Sequence, residues 1–144
     1  METMTQEEKD LLLKDLCTRL PYGVKMNHIA DNDIESKTLI GIAKDMITLE
    51  SSAGYSCVDV EHYKPYLFPL SSMTEEQYYE LQAISSKDCL EHMEVEKEWR
   101  NNSSFSYLPL YEYRVIDFFD RNHFDYRGLI ENGLAIDATG KNIY

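Results

Sequence analysis

The chain has 144 residues, of which 43% are hydrophobic, and it carries 26 acidic against 14 basic side chains, a formal charge of −12. That length suits one ordinary core, so residues 1–144 are expected to form a single domain. The charge argues against binding to bare nucleic acid or an anionic membrane surface, since both need clustered lysine and arginine.

No apolar run approaches the roughly 18 residues that cross a bilayer, and the start METMTQEEKD lacks the basic and apolar regions of a signal peptide. A cytoplasmic location is therefore expected. The three cysteines, Cys17, Cys57 and Cys89, are odd in number and widely spaced. They read as reduced thiols, and the sequons at Asn101 and Asn102 as chance matches.

Thr5 and Glu8 form a capping box, and Leu12, Leu13, Leu16, Cys17 and Leu20 follow at helical spacing. A helix over 6–20, stopped by Pro21, is predicted, with Cys17 as a small buried apolar residue. From 24 to 60 the period changes to alternation, broken by turns at Lys44–Asp45 and Ser51–Gly54, and four antiparallel strands in a meander are predicted. The stretch 63–70, YKPYLFPL, has prolines at 65 and 69 and reads as an extended surface or edge segment. Ser72 or Thr74, the latter with Gln77 as its box partner, caps an acidic helix over Glu75–Ile84 within an acidic helical segment 73–100, in which a second helix spans 87–100; 101–106 is a loop.

C-terminal helices are expected over 110–133. Tyr111, Val115, Phe118 and Phe119 make the apolar stripe of the first, Asp117 and Arg121 an exposed ion pair, and Asn122 its end. Asp125 caps a further short turn over 126–131, and Gly133 supplies a left-handed terminus. The fold class is thus α+β: an N-terminal helix, a small antiparallel sheet of four or five strands open to curling toward a barrel, and C-terminal helices packed on it.

Catalytic motifs are sparse. Asp31, Asp33 and Glu35 start like a calcium loop, but its sixth and twelfth positions are Ser36 and Ile42 instead of Gly and Glu, so a solvated turn is the better reading. Cys89 and His92 stand at i and i+3 with no second ligand pair, and the glycines form no phosphate loop. Neither a metal nor a cofactor is expected. His28, His62, His92 and His123 have no sequence partner, and an enzyme would need one of them beside Cys57 or a carboxylate in space.

Two features point to adhesion. There are eleven tyrosines, a residue favoured at interfaces. The acids also cluster: residues 73–98 hold eight, among them Glu75, Glu76, Glu80, Asp88, Glu91, Glu94 and Glu98, against Lys87 and Lys97, or 8 − 2 = 6 of the net charge. With Tyr79 they form the predicted partner-binding surface, of a kind that meets a basic nucleic-acid channel by spacing carboxylates like phosphates.

The stretches EEKDLLLKDLCTRLPYGV (Glu7–Val24), KPYLFPLSSMTEE (Lys64–Glu76) and HFDYRGLIENGLAIDA (His123–Ala138) resemble an uncharacterised family of small proteins from gut Bacteroidetes, their phages and mobile elements. The third block usually follows a tryptophan-containing helix in that family; here Phe118 takes the aromatic place. The resemblance implies an accessory gene and, by analogy, an inhibitor of host defence of the anti-CRISPR or anti-restriction type, acting on a basic nucleic-acid-binding host protein. A small cytosolic enzyme and a structural virion component are the alternatives.

Overall fold

A computed structural model of the chain describes residues 4–30, 36–84 and 113–144. The predicted calcium-loop turn, the helix over 87–100, Cys89, His92, Tyr111 and both sequons lie outside the described residues.

Helix α1 spans Gln6–Arg19 and starts as expected. Thr5 Oγ1 accepts from Glu8 N at 3.1 Å while Thr5 N donates to Glu8 Oε1 at 3.0 Å. Its buried side chains are Leu12, Asp15, Leu16 and Arg19. Cys17 is exposed, contrary to the sequence expectation. At 100° per residue it sits roughly 150° from the centre of that stripe. The place expected for a thiol is taken by an aspartate and an arginine.

The meander follows as predicted: β1 Lys25–His28, β2 Lys37–Ala43, β3 Met46–Ser51 and β4 Gly54–Asp59, each antiparallel to its neighbour in space. A bulge interrupts the β2–β3 register between Leu39 and Gly41. It keeps Leu39 and Ile42, on either side of the extra residue, on the same face as Leu49 and Ile47.

The proline-rich stretch departs from expectation. Tyr63–Pro69 is strand β5, and it is internal, pairing with β1 on one side and with β6 (Phe124–Asp125) and β7 (Ile136–Asp137) as parallel neighbours. Proline is tolerated here for a register reason. Ile29 N bonds His62 O at 2.9 Å, so the hydrogen-bonded pairs with β1 alternate away from Pro65, which faces Met26 in a position that needs no donor. The next bonded pair in this register, Lys25 with Tyr66, is opened by the Tyr144 hydroxyl. Lys25 N donates to it at 2.9 Å and it donates to Tyr66 O at 2.7 Å.

Helix α2 covers Glu75–Ile84 and helix α3 Tyr113–Arg121. Thr74 and Gln77 make the predicted cap, with Gln77 N donating to Thr74 Oγ1 at 3.2 Å and Thr74 N to Gln77 Oε1 at 2.9 Å. Past α3 the expected second helical turn is a series of non-helical turns. Asp125 still does the capping work, accepting from Leu129 N and Ile130 N at 2.9 Å each, and Gly133 is left-handed at φ +74°. The predicted Asp117–Arg121 pair does not form as such: Arg121 reaches Glu80 at 3.2 Å, and Asp117 accepts from the Tyr22 hydroxyl.

The architecture is α+β, with a mixed sheet that is open and not a barrel. The described residues form two apolar clusters. One joins α1 (Leu12, Leu16) to the sheet (Met26, Leu39, Ile47, Leu49) and to Leu129 and Leu134. The other gathers Leu81 of α2, Val115, Phe118 and Phe119 of α3, and Phe124 and Tyr126. Each fully buried Leu or Phe is worth about 1.5–3 kcal/mol relative to exposure.

Candidate functional site

The predicted partner-binding residues that are described all lie on α2. Leu81 is buried and Tyr78 half-buried toward the Phe118–Phe124 cluster. At 100° per residue, Glu75, Glu76, Tyr79 and Glu80 then share a solvent arc of roughly 140°. All four are exposed, Tyr79 by 58%. Glu75 and Glu76 occupy the first turn, where the helix dipole favours negative charge. The Tyr79 hydroxyl donates to Glu75 Oε1 at 3.0 Å, which raises the phenol above its ordinary pKa and holds the ring along the helix. Glu80 is bonded to Arg121, so its charge is partly answered within the protein. Asp88, Glu91, Glu94 and Glu98 lie outside the described residues.

A cluster of perturbed ionisable groups lies elsewhere, at the junction of α1, α3 and β6. Arg19 Nε and Nη2 grip Asp15 Oδ2 and Oδ1 at 2.7 and 3.1 Å, and Nη2 also donates to Phe124 O at 2.7 Å. Arg127 Nη1 donates to Asp15 Oδ1 at 2.9 Å and to the Tyr126 hydroxyl at 2.8 Å, and that hydroxyl donates to Asp120 Oδ1 at 2.8 Å. Burial alone would push the Arg19 guanidinium down, but Asp15 and Asp120 outweigh it and hold it above its ordinary value. Burial raises Asp120, against the pull of Arg19, and lifts Tyr126 to about 12 with help from Asp120. Two guanidinium groups against two carboxylates leave the cluster neutral overall. Its bonds run between protein groups and fasten α1, in the first apolar cluster, to α3 and Tyr126, in the second.

Among the described residues the histidines do not assemble with a thiol. His28 and His62 stack at 6.1 Å, and His28 Nδ1 accepts from Ala30 N at 3.0 Å. Cys57 stands on β4, three strand positions from β1, or about 14 Å. His123 has φ +61° and stacks on Tyr144 at 3.6 Å, a packing role. Of the clefts on the described surface, one of about 250 Å³ and one of about 280 Å³ are lined by neither histidine nor cysteine. Among the described residues no group of three His, Cys, Asp or Glu could hold a metal, and no helix is long and apolar enough to cross a membrane.

His123 gives a pH prediction. Burial, with Arg19 adding to it, lowers its pKa from 6.5 to about 4, so the folded state holds the ring neutral. A depressed pKa contributes stability above pH 6.5 that is lost as the pH falls toward 4. The loss, discounted because the ring keeps part of its solvent contact, is about 1–2 kcal/mol. Asp120 and Asp125, raised by burial, act with the opposite sign: their contribution is present in acid and fades as the pH rises through their values. His123→Asn keeps a residue that tolerates positive φ. Urea melts at stepped pH should show the variant without this loss between pH 6.5 and 4; an unchanged slope would refute the assignment.

Comparison of the chain with protein-family models, with curated proteins and with solved structures gives no match in any of the three.

Proposed function

We propose that the protein is a nonenzymatic acidic binding protein of phage or mobile-element origin, as the sequence resemblance implies. It acts by occupying the basic channel of a nucleic-acid-binding host defence factor in the manner of anti-CRISPR and anti-restriction proteins. The observation that carries this reading is the α2 arc, where Glu75 and Glu76 stand exposed beside the exposed ring of Tyr79. Carboxylates on a helix with an aromatic anchor present the charge and the rigid apolar area that such a channel meets in nucleic acid.

The test is displacement of DNA from restriction nucleases and CRISPR effectors of Bacteroidetes hosts, measured against salt. The chain should release DNA from at least one of them, with an effect that weakens as salt rises. Glu75→Lys with Glu76→Lys should reduce the release by about tenfold or more, in a chain that still folds but melts a few degrees lower because the first turn of α2 loses its dipole-favoured charges. Charge reversal at Glu91, Glu94 and Glu98 extends the test to the rest of the predicted surface. Release that is equal in the reversed variants would remove the acidic residues from the mechanism.

A further inference from the structure

Strand β4 forms one margin of the sheet; among the described residues it pairs with β3 alone. Ser51 and Gly54 close a two-residue turn, and at the other end Val60 N donates to Asp45 O at 2.9 Å in the same register. Bonded positions therefore fall at 54, 56, 58 and 60, and the backbone N–H and C=O of Tyr55 and Cys57 point away from β3. Their side chains are exposed too, Tyr55 by 73%.

Margins of natural sheets are commonly blunted by proline, lysine or a bulge. The sequence of β4, GYSCVD, has no proline or lysine, and the sheet's bulge lies between β2 and β3 instead. The surrounding charge is negative. Asp45, Glu50, Asp59 and Glu61 flank the strand against Lys9 and Lys44, a local excess of 4 − 2 = 2. Lys9 sits 3.7–3.9 Å from three of these carboxylates, which leaves Glu50, paired with Tyr55, to face solvent.

We infer that β4 is a docking strand for an extended cationic segment of a partner protein. The segment adds to the sheet as a further strand, exchanging backbone hydrogen bonds with Tyr55 and Cys57, packing an apolar side chain on the Tyr55 ring and setting a lysine or arginine against Glu50. A second copy of this chain is a poor occupant, because each copy brings a formal charge of −12. This surface is distinct from the α2 arc, and the two can fail independently.

The probe is a seven-residue synthetic peptide alternating lysine and valine, with controls alternating glutamate and valine and with a central proline. In the free chain the Tyr55 and Cys57 amides should exchange rapidly with deuterated solvent. Saturating Lys–Val peptide should slow both by at least about tenfold, and neither control should do so. Cys57→Pro, which removes one outward N–H, should abolish binding, while Cys57→Thr, which keeps it, should bind like the parent; melting curves check that both fold. Glu75→Lys with Glu76→Lys should leave peptide binding unchanged. Amides already protected in the free chain, binding that survives in a folded Cys57→Pro variant, or sedimentation showing a dimer joined through β4 would each overturn the inference. Should Cys57→Pro not fold, amide exchange in the parent chain decides.

Discussion

Arg19→Met is expected to destabilise the protein by about 3–5 kcal/mol, because it strands the buried carboxylates of Asp15 and Asp120 without their guanidinium partner. Both Arg19 and Asp15 are 0% exposed. Methionine fills much of the arginine's volume, so the loss reports missing charge and hydrogen bonds and not a cavity. The backbone carbonyl of Phe124 loses its donor as well. Arg127 remains on Asp15 at 2.9 Å and should keep the variant from failing outright. Replacing Asp15 with leucine in the same chain should restore part of the loss, since the worst consequence of the single change is one unanswered charge. Urea denaturation of the three proteins decides the matter. A loss below about 1 kcal/mol in the single variant would mean that α1 and α3 are not held by this network.

Phe118→Ala should cost a similar amount, about 3–5 kcal/mol, for a different reason. Phe118 is fully buried, in edge contact with Phe119 at 5.9 Å and stacked near Phe124 at 6.3 Å. Truncation removes its transfer free energy and leaves a space that the rigid rings around it fill poorly. Phe118→Leu, which retains most of the apolar volume, should lose less than half as much. Leu16→Ala, placed in the other apolar cluster, provides the comparison. If the Arg19 network makes the two clusters one cooperative unit, each truncation should shift a single denaturation transition detected equally by fluorescence and circular dichroism. Two separated transitions would show that the clusters unfold independently.

Much of the secondary structure was legible because it is written in local chemistry. The Thr5–Glu8 and Thr74–Gln77 boxes marked two helix starts, since capping satisfies amide groups within three residues. The meander was legible because alternation and short turns set antiparallel neighbours without reference to the rest of the chain. The stripe Val115, Phe118, Phe119 announced a helix that needed a cover, and all three are fully buried.

Where the sequence reading went astray, the cause was a partner far along the chain. Pro65 and Pro69 argued for the surface, yet β5 is internal, because register with β1 excuses Pro65 from donating and the Tyr144 hydroxyl mends the ladder beside it. Arg121 found Glu80, 41 positions away, in preference to the neighbouring Asp117. The Asp15–Arg19 pair had a signal that the sequence reading passed over: two charged residues four apart on the same stripe as Leu12 and Leu16. Of the predicted binding surface, the sequence put Glu75, Glu76, Tyr79 and Glu80 on a helix, and the burial of Leu81 and Tyr78 set them on one exposed arc.

The sequence by itself determined the caps, the period of each element and the heavy negative charge, because these depend on residues within a turn or a strand of one another. Only the tertiary structure decided that α1 buries an ion pair, that a proline-bearing segment runs inside the sheet, and that β4 has a neighbour on one side alone among the described residues. Those outcomes rest on which distant groups meet: a charge can be buried only where its counter-charge and hydrogen-bond partners converge, and a strand's exposure depends on what the remainder of the chain lays beside it.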